Sequence, residues 1–182
     1  MIDFTFITGN QRKADYLAQY LGGQIDHLKL NLDELQSLDL YEIVEHKVKQ
    51  AYAIVKKPVI VEDVSLVFDA LGKLPGPLIK WFLEELKVDG LCKNLDNYED
   101  RSATAQILFA YYDGQEIKYF YGESRGTVAT KPRGDFGFGW NAVFIPEGSD
   151  KTFAEMPDKE LAPFSHRAKA VEKLKAFLTT LE

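Results

Sequence analysis

The chain has 182 residues, 46% hydrophobic and 13% aromatic, enough apolar material to bury a core as a single domain in two lobes. A net charge of −6 and a pI near 5.2 argue against bulk binding to a nucleic-acid polymer or an acidic membrane, so any anionic ligand has to be met by a local cluster of cations. The single cysteine, Cys92, excludes an intramolecular disulfide and a Cys-rich metal site. No stretch approaches the roughly 18 apolar residues of a membrane span, and Met1-Ile2-Asp3 lacks a secretion-signal pattern. These features predict a cytoplasmic protein.

In chain order, Phe4–Ile7 reads as a short strand running into Thr8-Gly9-Asn10-Gln11-Arg12-Lys13. Asn10 is a good N-cap for a helix to about Leu21, which Gly22-Gly23 stops. A strand, a small-residue turn and a helix N-terminus suit a phosphate, because backbone N–H groups and the positive helix end both face it. Helical steps of about 100° place Ala14, Leu17, Tyr20 and Leu21 on the buried stripe, with Lys13 at its edge and Arg12 on the far side. Gln24–Asn31 reads as a second strand, and Leu32–Gln36 as an acidic loop carrying Glu34. A long helix is predicted from Leu40 to Lys56, with Leu40, Ile43, Val44, Val48, Ala51 and Val55 on one stripe and Lys47 near its centre. A lysine there requires a carboxylate or a ligand anion. Glu45 and Lys49 stand at i,i+4 spacing on another face.

Val59–Val61 then reads as a buried strand ending in two adjacent acids, Glu62 and Asp63. Successive strand side chains point to opposite faces, so one acid can serve a cleft while the other braces the fold. Leu66–Leu71 is a second apolar segment. Gly72, Pro75, Gly76 and Pro77 impose a rigid turn before a helix from near Leu78 through Leu86, which brings Lys80 beside the acid. Gly90–Asp100 is a polar, partly helical connector in which Cys92 acts as a small buried filler. Arg101–Tyr112 and Glu116–Tyr121 form a hairpin around Asp113-Gly114. Glycines interleaved with aromatics in Gly134-Asp135-Phe136-Gly137-Phe138-Gly139-Trp140-Asn141 suit either close approach to a flat nucleobase or a glycine-loosened turn that packs its aromatics into the core, and the cation clusters elsewhere favour the nucleobase. Ser165 caps the last helix. Arg167 projects onto that helix's inward face in its first turn, where an anion would relieve its clash with the helix dipole.

Taken together the residues resemble the inosine triphosphate pyrophosphatases, the non-standard purine NTP pyrophosphatases. The matching motifs are Thr8-Gly9-Asn10 with Lys13, Val61-Glu62-Asp63, Leu71–Pro77 with Lys80-Trp81-Phe82, Phe138-Gly139-Trp140, Lys151–Met156 and Ser165-His166-Arg167. The resemblance implies an α/β fold, an elongated mixed β-sheet with flanking helices and two lobes around a central cleft, usually as a homodimer. It implies Mg²⁺-dependent hydrolysis of ITP, dITP and XTP to monophosphate and diphosphate, which removes deaminated purines from the nucleotide pool. Asp63 would be the catalytic carboxylate and a metal ligand, with Glu34 the second. Thr8, Gly9, Asn10, Gln11, Arg12, Lys13 and Lys47 would hold phosphates, with Lys80 adding charge. Phe138, Gly139, Trp140, Asn141, His166 and Arg167 would contact the base.

Three positions depart from the family pattern. Val64 replaces a hydroxyl residue at a substrate-binding position, Asn141 replaces an aspartate, and Leu161 stands where a lysine is usual, with Lys159 two residues earlier. A pyrophosphatase with altered base selectivity and a non-catalytic nucleotide-binding homologue are the alternatives. The latter could dispense with the metal, whereas Glu34 and Asp63 are both retained.

Overall fold

Three parallel strands organise the amino-terminal part of the computed structural model, which describes residues 3–181; Met1 and Ile2, the start read as lacking a secretion signal, and Glu182 lie outside. β1 (Thr5–Ile7) pairs in parallel with β2 (Asp26–Leu28) on one side and β3 (Val59–Phe68) on the other. The order of the seven-stranded sheet is β2-β1-β3-β5-β6-β7, with β4 (Pro75–Gly76) paired to β3. β5 (Ser102–Tyr112), β6 (Ile117–Val128) and β7 (Phe144–Pro146) complete it. The helices are α1 (Gln11–Leu21), α2 (Leu40–Val55), α3 (Ile79–Lys93), α4 (Asp158–Leu161) and α5 (His166–Thr180). Among the described residues no helix is long and apolar enough to cross a membrane.

Two compact units are distinguished. The first comprises residues 3–63, 107–121 and 169–181. There the predicted stripe of α2 is buried except at its half-buried end, Val55, and Val44, Val48 and Ala51 pack on Val59 and Val61 of β3 and Leu108 and Ala110 of β5. Each fully buried valine or leucine in this layer contributes about 1.5–3 kcal/mol. Strand alternation turns Ile60, Glu62, Phe109 and Tyr111 to the opposite face. On that face Phe6 meets Phe109 with ring centroids 6.4 Å apart, and Phe177 of α5 meets Tyr111 at 5.2 Å. α5 lies beside α1, where Lys175 Nζ donates to the Tyr20 carbonyl at 3.0 Å. Both faces of β5 are therefore covered.

The second unit comprises residues 64–106 and 122–168. Its core gathers Leu66 and Phe68 of β3, Ile79, Leu91 and Cys92 of α3, Ala103 and Ala105 of β5, and Trp140, Phe144 and Phe153.

Several boundaries differ from the sequence reading. β3 does not end at Val61 but runs on to Phe68, because Val64, Leu66 and Phe68 find apolar contacts and extended neighbours. β2 is only three residues long, all exposed, so edge pairing alone supports it. α3 continues through the predicted connector to Lys93, broken at Lys87 where φ is 57° and ψ −179°. β6 outruns its predicted end at Tyr121 by seven residues, since Gly126, Thr127 and Val128 pair with β7.

Candidate active site

The phosphate-seat turn follows from where β1 stops. Thr5 and Phe6 stand level with Val59 and Ile60, so the turn after Ile7 passes beside Glu62 and Asp63 in the middle of β3. The acids thus reach the open end of a strand pair although they are not at the end of their own strand. In the turn Asn10 caps α1, its side chain accepting from the Arg12 and Lys13 N–H groups at 3.0 and 3.4 Å, while its own N–H donates to Thr8 Oγ1 at 3.1 Å. Gly22 closes the helix in the left-handed conformation.

The two acids are each engaged by a different lysine. Glu62 faces α1, where Lys13 Nζ lies 2.6 Å from Oε1 and the glutamate side chain is 2% exposed. Asp63 faces α2, where Lys47 Nζ lies 3.3 Å from Oδ2 and the aspartate remains 28% exposed. Lys47 also donates to the Glu62 main-chain oxygen at 3.0 Å. That bond has a backbone cause. Thr5 N–H donates to the Pro58 carbonyl at 2.9 Å, and in a parallel pair the carbonyls facing one neighbour recur every second residue, so those of Ile60 and Glu62 face β1 too. β1 has ended by Glu62, which leaves that carbonyl for Lys47. Lys13 and Lys47 therefore approach from opposite faces of the sheet, each held by one member of an adjacent acidic pair.

Glu34 is exposed in the loop before α2. The residue before it is anchored: Asp33 N–H donates to Gln50 Oε1 at 3.1 Å, and Gln50 Nε2 returns a bond to the Asp33 carbonyl at 3.3 Å. Gln50 lies three residues after Lys47 on α2, so it ties the acidic loop to the helix that carries the lysine. Sequence reading missed Gln50, although its i+3 spacing from Lys47 was the available signal.

In the second unit two of the predicted base-contact residues, Trp140 and His166, join Phe153 in an aromatic stack. Trp140, 7% exposed, stacks on His166 with centroids 5.4 Å apart, and Phe153 lies parallel to His166 at 5.9 Å. Trp140 therefore belongs to the core, while Phe138 keeps partly exposed surface and lies 6.0 Å from the buried Arg167 guanidinium carbon. Ser165 Oγ accepts from Ala168 N–H at 3.2 Å, capping α5 so that His166 and Arg167 start its first turn. The loop before Trp140 is strapped to the turn Phe153–Glu155: Phe136 N–H donates to the Ala154 carbonyl at 2.9 Å and Ala154 N–H to that of Asn141 at 3.1 Å. Thr152 Oγ1 also donates to the Arg133 carbonyl at 2.7 Å. Gly134 is required here. Its φ is 83°, and a Cβ would stand 2.2 Å from the Ala154 oxygen. Val64 packs against the apolar core, and Lys80 on α3 extends over the Trp81 ring at 4.8 Å.

An α/β protein whose strand–turn–helix seat is flanked by two lysine–carboxylate pairs, and which carries a glycine–aromatic stack, is a nucleotide-handling protein by its chemistry. The chain belongs to the Ham1 family, whose model matches residues 4–177. It is 44% identical over 176 residues to inosine triphosphate pyrophosphatase 2 of Trypanosoma cruzi (strain CL Brener), covering 94% of this chain and 90% of that protein. It is 46% identical over 178 residues to the inosine triphosphate pyrophosphatase of Yarrowia lipolytica (strain CLIB 122 / E 150), covering 95% and 94%. Among solved structures the Ham1 protein of Staphylococcus aureus matches with a TM-score of 0.86 at 25% identity, over 99% of this chain and 100% of that one.

Proposed function

We propose that this protein hydrolyses the triphosphates of deaminated purines, ITP, dITP and XTP, to monophosphate and diphosphate, and so clears them from the nucleotide pool. The observation that carries this reading is the pairing of Lys13 with Glu62 and of Lys47 with Asp63 beside the Thr8–Lys13 turn, in a chain of the Ham1 family.

The donor chemistry suits Mg²⁺, since Asp63 and Glu34 offer only hard carboxylate oxygens and both keep solvent access. A magnesium ion takes one or two protein carboxylates and completes its shell with substrate phosphates and water. When bound, Mg²⁺ supplies Lewis-acid polarisation of phosphate oxygens and lowers the pKa of a bound water. Asp63 orients the attacking water and takes its proton as the water oxygen bonds to the α-phosphorus and the bond to the bridging α–β oxygen breaks. Lys13 and Lys47 neutralise charge that grows on the departing diphosphate. Thr8, Gly9, Asn10, Gln11 and Arg12 line the phosphate side. Phe138, Gly139, Asn141 and Arg167 make the base side, backed by the buried Trp140–His166 stack, with Val64 as an apolar contact. Because Asn141 carries an amide that both donates and accepts, reverting it to Asp sharpens preference for ITP and XTP over GTP. A cytoplasmic homodimer completes the proposal, and light scattering on the purified protein measures its mass directly.

The decisive experiment is diphosphate release from ITP, XTP, dITP, GTP, ATP and pyrimidine triphosphates, with and without Mg²⁺, by the wild type and by Asp63→Asn. Strong metal-dependent release from ITP that falls at least about 10³-fold in the variant is expected. Undiminished turnover by Asp63→Asn would remove the mechanism.

A further inference from the structure

We propose that Lys29 is an additional binding residue for the polyphosphate chain, laid across the turn that follows β1; this rests on reading Thr8–Lys13 as a phosphate seat. Nothing in the sequence pattern singles it out, since it sits in a short, exposed stretch after β2. Pairing brings it to the site. Ile7 stands opposite Leu28, and Thr8 N–H donates to the Leu28 carbonyl at 3.0 Å, so Lys29 leaves β2 level with Thr8 and Gly9. Its stem lies over Gly9. A Cβ built there would stand 3.0 Å from both Cγ and Cδ of Lys29 and 3.3 Å from Cε.

Charge makes this position informative. The ammonium groups of Lys13 and Lys47 already meet carboxylates at 2.6 and 3.3 Å. The Arg12 and Lys13 N–H groups at the helix start are taken by the Asn10 side chain. Among the described residues Lys29 has no ion pair and no hydrogen bond from its ammonium. It thus presents an uncompensated positive charge beside a turn whose own donors are largely spent, and an incoming polyanion is the chemistry that satisfies it. Gly9 has a corresponding role: it keeps the turn low enough for the lysine stem to cross.

The test is calorimetric titration with inorganic tripolyphosphate in metal-free buffer, using inosine monophosphate as the control ligand. The variants are Lys29→Met, which keeps an unbranched apolar stem, and Lys29→Arg. Lys29→Met should weaken tripolyphosphate about tenfold and leave the monophosphate unchanged, while Lys29→Arg stays within about threefold of wild type. Gly9→Ala, which lifts the stem, should give a loss that does not add to that of Lys29→Met. Wild-type affinity in Lys29→Met overturns the assignment, as does an equal loss for both ligands. Diphosphate release from ITP is measured in parallel. Lys29-dependent tripolyphosphate binding without turnover would sink the pyrophosphatase reading alone, and turnover with indifferent Lys29 variants would sink this inference alone.

Discussion

Removing the ring of Phe153 tests whether the aromatic stack holds the second unit together. The side chain is 2% exposed and faces three rings: Phe144 at 4.9 Å, His166 at 5.9 Å and Trp140 at 6.3 Å. Phe153→Ala leaves a cavity walled by stiff rings that collapse poorly, which places its cost at about 3–5 kcal/mol. For a chain of this size 1 kcal/mol corresponds to about 2–4 °C, so the melting temperature should fall by roughly 6–20 °C. Phe153→Leu keeps much of the volume and loses ring contacts worth about 0.5–1.5 kcal/mol each, giving about half the alanine loss. Thermal unfolding by circular dichroism reads both shifts, and ITP turnover well below the transition reports whether His166 keeps its place. A Phe153→Ala protein that melts within about 3 °C of wild type would refute the argument that this stack is core.

Alanine scanning of two glycines separates backbone conformation from steric room. Gly22 has φ 81° with nothing within 4 Å of a Cβ, so Gly22→Ala costs about 1–2 kcal/mol, whereas Gly134→Ala adds overpacking of about 1–3 kcal/mol against the Ala154 oxygen, readable in urea denaturation. Burial, followed by the hydrogen bond to Glu45, pushes the Tyr119 hydroxyl up to about 12. Its stabilising contribution is full below about 10, the unfolded value, and is lost as pH rises through about 12. Burial also pushes the Tyr111 hydroxyl up, so phenolate absorbance should show two late-titrating tyrosines, of which Tyr119→Phe removes the one near 12; uniform ionisation near 10 contradicts this. Cys92 is 1% exposed, and burial pushes its thiol up to about 11, so at pH near 8 a thiol reagent should label it only as fast as the protein opens. Rapid stoichiometric labelling of native protein would rule that out.

What was legible in the sequence follows local rules. Asn10 and Gly22 bound α1 because capping is decided by a few backbone groups, and the α2 stripe shows its 3.6 period plainly. The inward reach of Lys13 followed from the same periodicity, and the partner left open for Lys47 is Asp63. Pairing was less readable. That β3 continues past its acids depends on what lies beside Val64 to Phe68, and the brevity of β2 depends on its edge position. Of the two readings open for the glycine–aromatic stretch, the ring of Trp140 follows core packing, because Phe144 and, from further along the chain, Phe153 and His166 enclose it. Lys29 and Gln50 escaped notice for the same reason, since each matters through a neighbour on another element.

The acidic dipeptide of β3 sits where an odd and an even position of one strand each answer to a helix on its own side. Adding or deleting a single residue ahead of Glu62 would turn both carboxylates over together and present each to the wrong helix. This segment should therefore accept exchanges of side chain more readily than any change of length, and natural insertions or deletions in the chain are expected in loops that leave the register of β3 intact.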